Sequence, residues 1–267
     1  MTVSAGTTPL SRRRSRGFVL AAIISLLLGA AMPYVLSAWF HEGLDLSNSA
    51  QYLMLAAQEL LLIGFPALLL ARRSQVTRER FQALWSKPGS YAVGLVSLAA
   101  VAFSLASVLL ASLWYVMLES LGIHVPLEVS YIKPNNGAEY MLAFICTALI
   151  PVFSEEIMFR GHLLTWLRGK MGGRLACVIG GLIFAILHFS LLGFASLAAI
   201  GMFLSLLVVR YKGLWLSIFF HTIYNGVVIL LNGLDAQPST QMVMLSTGVF
   251  IALYYLLFKK EETRSWS

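Results

Sequence analysis

Eight long apolar runs dominate the chain, at roughly 18–40, 51–71, 90–118, 139–158, 175–192, 195–209, 214–232 and 241–258. Most reach the length an α-helix needs to cross a hydrocarbon core of about 30 Å, where the backbone must satisfy its own hydrogen bonds. Only 12% of the 267 residues are charged and 58% are hydrophobic, about half the charged fraction of a soluble domain. That leaves too little polar surface for a water-exposed globule. The sequence therefore predicts an all-α polytopic membrane protein with about eight transmembrane helices.

The charges between the runs set a topology. Arg12, Arg13, Arg14 and Arg16 precede the first run, Arg72, Arg73, Arg78, Arg80 and Lys87 follow the second, and Arg168, Lys170 and Arg174 follow the fourth. Arg210 and Lys212 follow the sixth, and Lys259, Lys260 and Arg264 follow the last. The alternate segments hold Glu42, Asp45, Glu119, Glu128 and Asp235, with Lys133 their single basic residue. Arg160 apart, the remaining Lys and Arg fall on one side, and the positive-inside rule places both termini in the cytoplasm.

The net charge of +7 is thus an orientation signal, and nucleic acid is not an expected partner. The first run is longer than a signal-peptide core, and Leu28-Gly29-Ala30 is a weak cleavage signal, so it reads as a retained span. Cys146 and Cys177 fall within apolar runs and read as small buried hydrophobes. Trp39, Trp85, Trp114, Trp215 and Trp266 sit near span ends, as an aromatic belt requires. The expected organisation is a basic tail over 1–17, an N-terminal membrane region over 18–138, a membrane core over 139–258 and a tail over 259–267.

Ionisable residues inside a membrane are costly, at roughly 2.5–3.5 kcal/mol each, and mark function by default. Three clusters stand out. Glu155-Glu156 precedes Arg160, and Glu156 with Arg160 has the i,i+4 order that suits an ion pair. Glu155 then points about 100° away, towards a cavity. Two adjacent carboxylates seldom ionise alike, which suits one of them to act as a general base. The bland alternative is a helix that ends here, with all three residues among headgroups. Phe184 and His188 share one helical face in the fifth run, as do His221 and Asn225 in the seventh. Each imidazole alone could be a helix–helix hydrogen bonder. Glu59 lies mid-span in the second run, His41 and His124 in outer loops, and His162 at an expected interface.

The ordered set EExxxR, FxxxH and HxxxN, here Glu155-Glu156…Arg160, Phe184…His188 and His221…Asn225, resembles the CPBP family of CAAX proteases and bacteriocin-processing, Abi-type membrane proteins. The resemblance covers about residues 139–232. It implies eight helices around a cavity open to the cytoplasmic side, and a glutamate-dependent endopeptidase. Carried over, Glu155 activates the attacking water and His188 orients water or substrate. His221 and Asn225 stabilise the oxyanion, while Glu156, Arg160 and Phe184 support the geometry. Glu155, His188 and His221 could also supply three ligands to a catalytic zinc, but there is no HExxH, and a metal-free, glutamate-activated water accounts for the same residues.

The expected function is peptide-bond hydrolysis in a hydrophobic, lipidated or secreted peptide or membrane-protein substrate, with no required cofactor. The expected setting is the lipid bilayer of a bacterial plasma membrane. A catalytically silent peptide-binding or immunity-type protein would use the same cavity without chemistry. A proton-coupled carrier would also bury Glu and His, but the chain has no internal repeat of the carrier type.

Overall fold

A computed structural model of the chain describes residues 27, 28, 31, 47–72, 79, 81–125 and 132–259. The expected first span over 18–40, the two tails and His41 lie essentially outside those residues. Among the described residues the structure is helical without strands. Its long elements are α1 (Asn48–Ala71), α2 (Ser90–Ser120), α3 (Gly137–Met171), α4 (Gly173–Leu187), α5 (Phe194–Tyr211), α6 (Trp215–Gly233) and α7 (Thr240–Phe258). Six of these are long and apolar enough to cross a membrane, and α4 is a shorter apolar helix. Their outward faces carry Leu61, Val116, Leu245, Ile251 and Tyr255, all well exposed, as lipid contact demands. The chain is a polytopic all-α membrane protein.

Two helices change pitch where proline intervenes. Leu60–Gly64 in α1 and Phe144–Leu149 in α3 are wound as π-helix just before Pro66 and Pro151. Proline donates no N–H and crowds the preceding carbonyl, so the ladder widens by a residue there. At the start of α3, Asn136 accepts from the Glu139 amide at 3.0 Å and Glu139 accepts from the Asn135 amide at 2.9 Å. This reciprocal cap satisfies amides that helix geometry leaves without partners. Tyr52 of α1 donates to the Ile132 carbonyl at 2.8 Å, tying the entry of α1 to the segment before α3.

Glycine sets the closest helix contact. A Cβ added at Gly181 would lie 2.6 Å from the Met202 nitrogen, and one at Gly201 would lie 2.9 Å from the Gly181 Cα. Only glycine lets α4 and α5 approach so closely. Phe103, Phe203, Phe220 and Phe250 interlock at ring separations of 4.7–5.9 Å and join α2, α5, α6 and α7. His221 is the residue after Phe220, so this aromatic core fixes the face on which α6 presents it.

Two helix ends differ from the sequence expectation. α3 continues to Met171 instead of ending near 158, and α4 ends at Leu187 instead of 192. The apolar run stops at the charged motif, but the π-wound stretch Glu156–Leu163 carries the helix through it.

Candidate active site

Glu156, Ile157, Met158, Phe159, Arg160 and Gly161 are all buried in the π-wound stretch of α3. Arg160 Nη1 donates to Glu156 Oε1 at 2.9 Å, with side chains 1% and 0% exposed. Arg160 Nη2 donates to the Gly201 carbonyl on α5 at 3.2 Å, and its guanidinium lies 4.5 Å from the centre of the Phe184 ring on α4. A lone buried charge costs several kcal/mol, so each of these contacts helps offset desolvation. The Glu156–Arg160 pair is thus closed inside the protein, and the helix does not end at the motif.

His221 of α6 joins the pair. Its Nδ1 lies 2.9 Å from the same Glu156 Oε1. Its other nitrogen, Nε2, lies 3.7 Å from Glu155 Oε2. Glu155 keeps 14% of its side chain exposed, whereas Glu156 keeps none. The two adjacent carboxylates therefore have different surroundings. Glu156 is locked between a guanidinium and an imidazole, and Glu155 is the partly exposed member of the pair.

Phe184 links the second histidine to the first. Its ring centre lies 5.8 Å from that of His221 and 4.4 Å from that of His188. Phe159 packs edge-on at 5.1 Å. His188 is the capping residue of α4, and its Nδ1 lies 2.7 Å from the Phe184 carbonyl. Asn225, one turn beyond His221, directs Nδ2 towards the Thr147 carbonyl in the first π-wound stretch of α3, at 3.4 Å. That bond is long, and the amide has a second N–H to offer.

Other residues flagged in the sequence fall at varied distances from this cluster. Glu59 is buried on α1 at the junction with its π-wound stretch. His162, expected at an interface, is half-buried against α1 and Phe81. It bonds the Ala67 carbonyl on α1 at 2.9 Å and stacks on Phe81 at 5.9 Å. His124 pairs with Glu119 at 2.8 Å on the exposed side. Cys146 and Cys177 are buried. Gly201 and Thr147 were not singled out from sequence. Both act through main-chain carbonyls, which leave no mark in side-chain type.

Between α1 and α3 lies an open apolar groove of about 560 Å³, lined by residues including Leu61, Gly64, Phe65, Phe153, Ser154 and Ile157. Ser154 and Ile157 flank the Glu155-Glu156 pair. A Cβ at Gly64 would lie 2.7 Å from Ser154 Oγ, so glycine is what brings α1 close to the motif. Among the described residues no group of three His, Cys, Asp or Glu side chains is placed to hold a metal ion. Nδ1 of His188 and of His221 is turned to a protein partner, an orientation that metal-ligating imidazoles share.

Comparison with known proteins reaches the same part of the chain. The family model for type II CAAX prenyl endopeptidase Rce1-like proteins matches residues 137–227, which hold all three motifs. A Bacillus subtilis (strain 168) protein described as "Putative membrane peptidase YdiL" is 31% identical over 116 residues, covering 41% of this chain. The match spans 47% of that relative, so the chain covers about half of its length. No solved structure matches the chain.

Proposed function

We propose that this chain, a CPBP-family protein whose residues 137–227 match the Rce1-like endopeptidases, is an intramembrane endopeptidase that uses a water activated by Glu155. The observation that carries the reading is the placement of Glu155 Oε2 3.7 Å from His221 Nε2, beside a fully buried Glu156–Arg160 pair. A partly accessible carboxylate facing an imidazole inside a membrane-spanning bundle has no evident structural purpose. It has a clear chemical one.

In the proposed reaction, Glu155 takes a proton from water as the water oxygen bonds to the scissile carbonyl carbon. The carbonyl π electrons move to oxygen, and the second amide N–H of Asn225 stabilises the oxyanion. The C–N bond then breaks, and the proton held by Glu155 passes to the departing amine. The apolar groove between α1 and α3 supports a hydrophobic, lipidated or secreted peptide as the substrate. The alternating basic and acidic loops support a protein with both termini in the cytoplasm, most naturally that of a bacterial plasma membrane.

The test is cleavage by protein purified in detergent, with a farnesylated CAAX peptide, the same peptide without lipid, and a set of apolar peptides as probes. Glu155→Gln should lower cleavage by at least about a hundredfold while the protein elutes and melts like wild type. Cleavage by Glu155→Gln at the wild-type rate would exclude Glu155 as the base. Binding of a peptide unaffected by Glu155→Ala, with turnover by neither protein, would favour a silent peptide-binding role.

A further inference from the structure

We infer that Pro151 is a positioning residue for Asn225: it denies the Thr147 main-chain carbonyl its i+4 amide, and that carbonyl then holds the Asn225 side chain in place. This role rests on the proposed hydrolysis, in which Asn225 serves the oxyanion. It falls to a residue whose own ring touches neither the water nor the scissile bond.

In a regular α-helix each N–H bonds the carbonyl four residues back. The residue four before Pro151 is Thr147, and proline has no N–H to give it. The neighbouring bonds do not repair the loss. Phe144–Leu149 is π-wound, and the Ile150 amide bonds the Ile145 carbonyl, five residues back. The carbonyls of Cys146 and Thr147 come next, and the residue due to serve them, Pro151, brings no amide. The Thr147 hydroxyl is engaged within its own helix, donating to the Ala143 carbonyl at 2.8 Å. In a bilayer no water is at hand for a freed carbonyl, so a neighbouring helix must serve it.

α6 is that neighbour. Asn225 Nδ2 lies 3.4 Å from the Thr147 carbonyl oxygen. A carbonyl only accepts hydrogen bonds, so the NH₂ end of the side chain, and not its oxygen, faces α3. Gly226, the next residue, packs on the Phe144 ring, where an added Cβ would lie 3.0 Å away. That contact brings α6 against the π-wound stretch beside Thr147. With one N–H committed to Thr147, the planar amide is oriented and its second N–H is left for a ligand. The bond is long in the resting chain, as catalytic hydrogen bonds often are before substrate arrives. A proline inside a helix weakens it. Here the weakened turn gives α3 a carbonyl that α6 can use, one turn before Glu155.

The test compares wild type, Pro151→Ala, Asn225→Ala and the double variant as full-length proteins in detergent, with the probe peptides of the cleavage assay. Alanine at 151 restores an amide and suits a helix better than proline, so Pro151→Ala should melt no lower than wild type. It should still lower kcat about tenfold at little change in KM, because one oxyanion donor is worth about 10²–10³ and only its placement is disturbed. In the Asn225→Ala background the same substitution should change kcat by less than about twofold, as coupled residues require. A kcat untouched by Pro151→Ala, or lowered equally in both backgrounds, would overturn the inference. So would a loss of kcat that comes with a lower melting temperature, which a merely structural proline would give. Nitrogen-15 spectra of asparagine-labelled protein, with Asn225→Ala to assign the side chain, read the bond itself. Pro151→Ala should move the Asn225 side-chain amide resonances, and resonances left in place would equally overturn the link. Because the spectra need no turnover, that failure is distinct from failure of the proposed activity.

Discussion

Glu156 and Arg160 form an ion pair of 2.9 Å with both side chains closed off from solvent. Removing one partner leaves the other charged and buried, a loss usually worth about 3–5 kcal/mol. Arg160→Met should therefore destabilise the protein by about that amount. The double variant Glu156→Gln/Arg160→Met should recover most of the loss. Unfolding in detergent, followed for the two singles and the double, measures the coupling. Equal and additive losses would mean that the two side chains do not depend on each other.

The α4–α5 contact gives a second expectation. A methyl group at Gly181 or Gly201 meets backbone atoms at 2.6–2.9 Å, whereas one at Gly94 meets nothing within 4 Å. Gly181→Ala and Gly201→Ala should each cost about 1–3 kcal/mol through forced backbone shifts, with Gly94→Ala near neutral. Gly201→Ala should also lower cleavage, because the Gly201 carbonyl receives Arg160 Nη2. Melting temperatures and rates for the three variants check both points. A Gly201→Ala protein as stable and active as Gly94→Ala would contradict the packing described.

Much of this was legible in the sequence because a membrane simplifies the code. Apolar runs marked α1 to α7, and the rarity of ionisable residues inside them pointed to Glu155, Glu156, Arg160, His188 and His221. What the sequence hid was pitch. An i,i+4 reading assumes a regular helix, yet three stretches of α1 and α3 are π-wound. The hydropathy of α3 also fails at its charged motif although the helix does not. His162 illustrates the same limit: its bond to the Ala67 carbonyl and its stacking on Phe81 join segments far apart in sequence, which no local pattern announces.

Topology is open to direct measurement. Lys133 pairs with Asp235, joining the segment before α3 to the one after α6, and the Leu214 amide bonds the Leu84 carbonyl at the opposite helix ends. Leu234 is 68% exposed, Gly169 has open space around it, and the native cysteines are buried. In intact cells a membrane-impermeant thiol reagent should label Leu234→Cys, and should label Gly169→Cys only after permeabilisation. The reverse pattern would invert the orientation drawn from the charges.

The most direct test of the proposed chemistry is an experimental structure in lipid that resolves Glu155 and His221. The separation between Glu155 Oε2 and His221 Nε2 should be close to the 3.7 Å found here, with ordered water touching both atoms. One water bonded to both can bridge at most about 5.6 Å, two hydrogen bonds of roughly 2.8 Å. A separation beyond that reach, with Glu155 turned away from His221, would contradict the shared site and leave the helical membrane fold standing alone.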